Sequence, residues 1–418
     1  MKRHLLLYVT VLLACLAGGG QTANAQNNSS LDYYLAQALQ NSPLLRDYEG
    51  QVLANQVDSQ RILAGYKPQV TGSSVNNYAP VLNSWGYDQA ISNGGNFSTL
   101  VSVNKTLVGK KNLSTQFDAI RLSNDSLRNN ARISEQDLKK NITAQYVTAY
   151  GDMLQLDFNR DMIGLLQKEE GILKELTARN VYRQTDYLAF LVTLQQEKLL
   201  FKQLQIQFQN DYGTLNYLAG INDTAAVSLA DPQIVLDQLP ELYNSVFYRK
   251  FTIDSLKLIN DRSLIDFSYR PKASLYADAG YSSTLAYEAY KNFGTSFGVT
   301  VTVPIYDGHQ KRLLTSKLDI ARRTQDSYKR FFTSQYRQQL AQLSQQLKAT
   351  EELIGEINDQ IKYSQGLIDV NGKLLETGDA RISDYIIALG SYLNAKNLLT
   401  QNKITRMQII NQINYWNR

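Results

Sequence analysis

Apolar and polar residues alternate in two short segments of the chain, and a period of two is that of a β-strand. Across 295–303 the odd positions hold Thr, Phe or Val, and the even positions hold Ser, Gly or Thr. Across 97–104 the odd positions again hold Phe, Thr or Val, while the even positions are mostly Ser or Asn. A weaker alternation precedes each segment. The pattern therefore predicts two strand pairs, at about 69–79 with 96–107 and at about 272–281 with 295–306.

Apolar residues recur at helical spacing through two long tracts that contain no proline. The seven prolines leave 81–231 and 305–418 free, and both tracts are rich in residues that favour helices. Their apolar residues are sparse and heptad-like, which is typical of coiled-coil seams rather than of a thick core. The pattern predicts one helix from about Leu113 to Lys174 and another from about Leu313 to Asn371, each roughly 90 Å long.

The second half of the chain repeats the first in the same order. Tyr-Lys-Pro at 66–68 recurs as Tyr-Arg-Pro at 269–271, and Asp-Tyr at 186–187 recurs at 384–385. Several such matches occur in the same order at spacings of about 200 residues with small insertions or deletions, which indicates a duplicated unit. Each unit reads as a helix, a strand, a loop, a strand, a very long helix, a turn and a returning helix.

Each long helix is predicted to turn back at a hairpin tip. Asn180 aligns with Gly378, and both residue types tolerate the left-handed conformation of a helix end. The tips are therefore predicted near 175–187 and near 372–385. The whole chain divides into a signal peptide at 1–25, a first repeat at 26–220, a connecting equatorial segment at 221–241 and a second repeat at 242–418.

The N-terminus has the pattern of a secretory signal. Lys2 and Arg3 precede an apolar run that ends near Ala17, and an Ala-Asn-Ala tripeptide precedes Gln26. Cys15 is the only cysteine and lies in a loose lipobox, so a lipid anchor at this residue is the alternative to cleavage after Ala25. Later in the chain, no apolar stretch approaches the about 18 residues that a membrane-spanning helix needs.

Two interpretations of the strands remain open at this stage. A soluble sandwich with one buried face would produce the same alternation. A membrane barrel is favoured by small polar residues on one face, which a watery lumen requires, and by tyrosines that flank the strands as interfacial girdles would. Four strands cannot close a barrel, so strands in lipid would require several copies of the chain. The predicted girdle residues are Tyr66, Tyr78, Tyr269, Tyr281 and Tyr306.

Composition argues against several classes of function. The net charge of +5 is too small to indicate nucleic-acid binding. His4 and His309 are the only histidines, and His4 lies in the predicted signal, so one chain assembles neither a histidine-based metal site nor a histidine-dependent catalytic set. His309 follows a strand and is interpreted as a solvated loop residue. The sequence also lacks a phosphate-binding glycine loop. We therefore predict a protein that is not an enzyme and holds no cofactor.

The ordered motifs together resemble the TolC family of outer-membrane factors. The resemblance covers the mature chain and is carried by the duplicated plan, Tyr-x-Pro before a strand, Val-Pro-Ile-Tyr-Asp-Gly at 303–308, and Gly378 followed by Asp384. It implies an α plus transmembrane β fold, in which a duplicated unit of long antiparallel helical hairpins forms a periplasmic α-barrel. Four β-strands per subunit then contribute to a shared trimeric β-barrel.

The resemblance also implies a function and a set of partners. The implied function is that of a homotrimeric outer-membrane channel of a tripartite efflux or type I secretion system. The implied partners are outer-membrane lipid, a periplasmic adaptor and an inner-membrane transporter. The protein would lie in the bacterial outer membrane with a long periplasmic extension. The alternative is a periplasmic coiled-coil scaffold or adaptor without a pore. The sequence does not indicate the exported substrate.

The family constricts its tunnel at the periplasmic tip with acidic residues. Asp384 matches the position of one such carboxylate, but Ile387 occupies the position of a second. Asp186 matches an acid of the other hairpin that helps to hold the tip shut, and Leu375 replaces its expected tyrosine partner. Arg381 is the residue expected to replace this tyrosine as the partner of Asp186. For both acids, an alternative is that they only stabilise the helix N-termini at which they lie.

Overall fold

The computed structural model describes residues 30–88, 94–223, 225–238, 241–284 and 288–416. The predicted signal peptide, including Cys15, lies outside the described residues. The helices are α1 (Leu31–Asn41), α2 (Pro43–Gly65), α3 (Lys110–Ala178), α4 (Gln184–Ala219), α5 (Val246–Ser268), α6 (Gln310–Thr377) and α7 (Ile382–Trp416). The strands are β1 (Gln69–Tyr78), β2 (Gly95–Leu107), β3 (Lys272–Ser283) and β4 (Phe293–Thr302). Single 3-10 turns occur at Leu242–Asn244 and Ala289–Lys291.

The predicted fold class of long helical hairpins and four strands is confirmed. Helices α3 and α6 contain 69 and 68 residues, so each extends further than the heptad pattern predicted. Helix α6 continues through Gly372 to Thr377, beyond the predicted end near Asn371. No described helix combines the length and the apolar character needed to cross a membrane.

The two long helices end in the same way. Asn180 and Gly378 both have left-handed backbone, with φ of 59° and 81°. After α3, the Val181 N–H donates to the Leu176 carbonyl over 2.9 Å, and after α6 the Asp379 N–H donates to the Leu374 carbonyl over 2.8 Å. Each end is a Schellman motif, which satisfies carbonyls that would otherwise lack partners. The duplicated sequence therefore folds into duplicated tips.

The four strands form one antiparallel sheet in the order β1-β2-β3-β4. The sheet therefore has two free edges, one on β1 and one on β4. Strand β4 ends at Thr302, where it pairs with Lys272, although the alternation predicted a strand to about position 306. Pro304 accounts for the early end, because proline has no N–H to donate to a ladder.

The register gives the sheet one apolar and one polar face. Directly paired residues project to the same side of a sheet. One face carries Val70, Val101, Val103, Ala277, Phe297 and Val299. The opposite face carries Thr71, Ser73, Ser98, Ser102, Asp278, Ser296 and Thr300, with Val75, Leu100 and Tyr276 as its larger apolar members.

The chain forms two compact units. Among the described residues, the sheet unit lies within 46–133 and 246–334, and the helical unit lies within 30–45, 134–245 and 335–416. In the helical unit, α3 contacts α7 through hydrogen bonds that include Asn411 to the Lys140 carbonyl, 2.9 Å, and Tyr415 to Asp137, 2.6 Å. One core cluster joins α1, α3 and α4, and a second joins α3, α4, α6 and α7 beside the tips.

Candidate functional site

The structure places the predicted gate acids in the first turns of the two returning helices. Asp384 is exposed, and its N–H donates to the Arg381 carbonyl over 3.1 Å. Asp186 is half-buried in the equivalent turn of α4, and its N–H donates to the Arg183 carbonyl over 3.1 Å. Both positions favour a negative charge through the helix dipole. Ile387 is 65% exposed and follows Asp384 by three residues, so an acid and an apolar side chain share one side of α7.

The hydrogen bond that joins the two tips is made by a residue other than those predicted. Within the described part of the chain, no ion pair connects Asp186 with Arg381. Instead, the Tyr182 hydroxyl lies 3.0 Å from the carbonyl oxygens of both Leu375 and Ala380. Sequence reasoning missed Tyr182 because its acceptors are backbone atoms of the other hairpin, which no side-chain motif marks.

The predicted girdle tyrosines lie at the ends of the strands. Tyr78 is the last residue of β1, and Tyr281 pairs with Phe293 at the same end of the sheet. Tyr66, Tyr269 and Tyr306 lie just beyond the opposite strand ends. Some of these rings also have local partners. The Tyr66 hydroxyl accepts a hydrogen bond from Gln116 over 2.7 Å, and the Tyr306 ring meets His309 edge-on.

The chain superposes on solved structures of bacterial membrane proteins, and several of these are outer-membrane proteins. The outer membrane protein VceC from Vibrio cholerae superposes with a TM-score of 0.74 at 12% identity, over 93% of this chain and 96% of that one. The open state of the Neisseria gonorrhoeae MtrE outer membrane channel superposes with a TM-score of 0.72 at 11% identity, over 93% of this chain and 88% of that one. A membrane protein from Pseudomonas aeruginosa superposes with a TM-score of 0.75 at 16% identity, over 92% of this chain and 90% of that one.

The chain has the outer-membrane channel fold. The resemblance to the TolC family is thereby confirmed at the level of fold. Neither a protein-family model nor a curated protein sequence matches the chain.

This fold buries one carboxyl group close to the hairpin tips. Glu169 on α3 is only 8% exposed, and one of its carboxylate oxygens has no hydrogen-bond partner. Burial, followed by the nearby charge of Glu376 on α6, raises the pKa of Glu169. Tyr385 is fully buried in the core cluster beside the tips, and its pKa is raised mainly by burial. The tips therefore enclose acid that favours its protonated form.

A second, half-buried acid lies further along the first hairpin. Burial, and then the neighbouring carboxyl of Asp211 on α4, raise the pKa of Asp152 on α3 to about 7. Asp211 itself accepts hydrogen bonds from Gln207, 2.6 Å, and Gln145, 3.1 Å. Asp152 is therefore the carboxyl of the pair that favours a proton. This cross-helix pair was not predicted, because heptad spacing does not show which polar residues face each other.

Proposed function

We propose that the chain forms a homotrimeric outer-membrane channel of a tripartite efflux or type I secretion system. The observation that carries the proposal is the two-faced sheet with two free edges. In a single chain the apolar face has no cover, and Phe297 on it is 88% exposed. Lipid would cover this face, while the small polar residues of the other face would border water.

The free edges of β1 and β4 support assembly of several copies. An open edge carries N–H and carbonyl groups that lipid cannot satisfy. Pairing of β4 with β1 of the next copy satisfies both edges at once. Three copies would give twelve strands, enough to close a barrel around an aqueous lumen.

The helical unit supports the same assembly. Helix α4 leaves an apolar stripe exposed on one side, formed by Leu188, Val192, Leu199 and Ile206. Helix α6 leaves a second exposed stripe, formed by Tyr363, Leu367, Val370 and Leu374. Both stripes begin within a few residues of the tips, so the α4 stripe of one copy and the α6 stripe of the next would meet at the same height. Side-by-side packing of copies would then build the wall of an α-helical tunnel.

In this proposal the tips form the periplasmic entrance, and Asp384 from each copy lines it. The bacterial outer membrane is the location, and a periplasmic adaptor and an inner-membrane transporter are the partners that deliver substrate. Arg381 and Asp186 are proposed to act at the same entrance. Among neighbours of the same fold, one was solved as an open channel, which supports a tip with closed and open states.

Fractionation and reconstitution test the proposal together. We expect the protein in the outer-membrane fraction, as a trimer on an unheated gel that becomes a monomer after boiling. In planar bilayers the purified protein should produce discrete conductance steps. A soluble periplasmic monomer without conductance would contradict the channel and favour the scaffold or adaptor alternative.

A further inference from the structure

The segment that follows β1 folds into a very short hairpin. Leu82 and Trp85 exchange two backbone hydrogen bonds of 2.9 Å, so only Asn83 and Ser84 lie between them. Both central residues have positive φ, 50° and 69°, which a two-residue hairpin turn of type I′ requires. The backbone therefore fixes the two flanking side chains on one side of the hairpin.

Contacts at the base hold this hairpin in one shape. The Ala79 N–H donates to the Gly94 carbonyl over 2.9 Å, so strand pairing continues one residue beyond β1. A Cβ atom built on Gly86 would lie 2.9 Å from the Cα atom of Val81, so the two arms of the hairpin touch. Residues 80–88, the Trp85 turn, are therefore ordered by their own backbone.

The fixed shape of the Trp85 turn exposes apolar side chains instead of burying them. Trp85 is 85% exposed, Leu82 is 69% exposed, and Tyr87 is also exposed. Asp88 is the only charged residue in the segment. A group of large apolar side chains exposed on an ordered turn indicates a surface that contacts lipid or protein.

The position of the Trp85 turn favours lipid. It follows Tyr78, whose exposed side chain projects from the apolar face of β1, and Tyr281 and Phe293 lie on that face at the same end of the sheet. Leu82 is four residues beyond Tyr78, a reach of at most about 14 Å in an extended chain. The interfacial layer outside the hydrocarbon core is about 5–8 Å deep, so a turn folded back on itself keeps Trp85 close to this layer.

We propose that the Trp85 turn is a lipid anchor, with Trp85 and Leu82 seated in the interfacial layer of the outer leaflet. This inference rests on the proposed channel function, which places the apolar face of the sheet in lipid. In that channel the Trp85 turn faces outward, because the helices join the opposite strand ends. Indole suits the layer, since its ring is apolar and its N–H donates to headgroup oxygens. Each trimer would carry three such anchors around its outer mouth.

The chain has two tryptophans, which allows a direct test. Trp416→Phe leaves Trp85 alone, and Trp85→Phe leaves Trp416, which packs edge-on against Tyr336 in the helical unit. Both proteins are reconstituted into phosphatidylcholine vesicles whose chains are brominated near the headgroup. Bromine quenches indole only at short range. Relative to vesicles without bromine, Trp85 should therefore lose most of its emission and Trp416 almost none.

A quencher dissolved in the water separates the alternative positions of the Trp85 turn. Aqueous iodide should quench Trp85 only weakly if the indole lies among headgroups. Strong quenching by iodide and none by bromine would show that the turn stands in water, and would overturn the anchor. Quenching by neither reagent would show that a neighbouring copy covers Trp85, and would overturn it as well.

A labelled cysteine provides a second measurement that keeps both tryptophans. Cys15 is removed with the predicted signal or blocked by acylation, so Leu82→Cys supplies a single free thiol. A nitroxide on this thiol should collide more often with oxygen, which concentrates in lipid, than with a nickel complex dissolved in the water. Ala226→Cys, at an exposed position of the helical unit, is the matched control and should show the reverse preference. The same preference at both positions would contradict the anchor.

The anchor and the channel proposal fail differently. Tyr78→Trp, in a chain with Trp85→Phe and Trp416→Phe, reports whether the sheet itself enters lipid. If bromine does not quench this protein, the sheet is outside the lipid and the channel proposal fails. If bromine quenches it but does not quench Trp85 in the Trp416→Phe protein, the channel stands and the anchor fails. Trimer migration on unheated gels shows that each variant has assembled.

Discussion

At the scale of single residues, the side chains near the hairpins differ in how far the sequence alone could identify them. Asp384 could be selected from sequence because the duplicated Asp-Tyr pair and the glycine before it mark a helix start. Asp152 and Tyr182 could not be selected from the sequence. Their partners lie in other helices and turns, and no regular spacing along the chain connects them. The sequence therefore indicated the exposed Asp384 and missed the hydrogen bond between the two tips.

Replacement of Asp152 should remove a pH dependence of stability. The pKa of this group rises from 3.8 to about 7 in the folded protein, so the folded state binds the proton more tightly than the unfolded chain. Stability should therefore fall as pH rises from about 4 to 7 and stay lower above that range. Asp152→Asn should raise the unfolding temperature by a few degrees at pH 8 and leave it nearly unchanged at pH 4. A variant that loses stability equally at both values would contradict this account.

Replacement of Asp384 should weaken selectivity for cations. Three carboxylates acting at about 10 Å through water contribute on the order of 1 kcal/mol, or about fivefold in relative permeability. Asp384→Ala should reduce the cation-to-anion permeability ratio, measured from reversal potentials in a salt gradient, by about that factor. Asp359→Ala removes an exposed acid of α6 away from the tip and serves as the control. Unchanged selectivity in Asp384→Ala would remove this residue from the entrance.

At the scale of elements, the strands show what a pattern can and cannot predict. Strands β2 and β4 alternate clearly and were the easier pair to recognise. Strand β1 carries Gly72, Ser74 and Asn76 on its apolar side, so its own sequence is a weak signal. The end of β4 was placed too late because the alternation continues through Val303, whereas backbone pairing stops before Pro304.

One glycine should be essential to the pairing of β2 with β3. A Cβ atom on Gly280 would lie 2.2 Å from the Thr99 carbonyl oxygen, and its φ of 157° disfavours other residues. Gly294, its direct partner on β4, has open space around it. Gly280→Ala should destabilise the sheet by about 1–3 kcal/mol, as overpacking does. Gly294→Ala should have little effect.

Thermal melting of the β-sheet signal in circular dichroism compares the two glycine variants directly. A lower melting temperature for Gly280→Ala alone is the expected result. Equal melting of both variants would show that the strands can separate enough to admit the methyl group.

At the scale of the whole molecule, the exposed stripes of α4 and α6 predict how copies contact each other. Val192 lies eight residues after the start of α4, and Val370 lies seven residues before the end of α6. Val192→Lys or Val370→Glu alone should reduce the trimer fraction on unheated gels, because each places an unpaired charge in an apolar contact. The double variant should recover trimer, since the two charges then face each other between copies. Additive loss in the double variant would place the stripes in different interfaces.

The two-faced sheet also has a consequence for biogenesis. A lone copy has two open strand edges and an apolar face without cover, and such surfaces promote aggregation. In the proposed trimer the sheet gains its full stability only when copies meet, so folding and association would be a single reaction whose yield depends on concentration. Dilution during refolding would leave chains with formed helices and unpaired strands. Newly exported chains would need a holding factor in the periplasm until enough of them have gathered to close the ring.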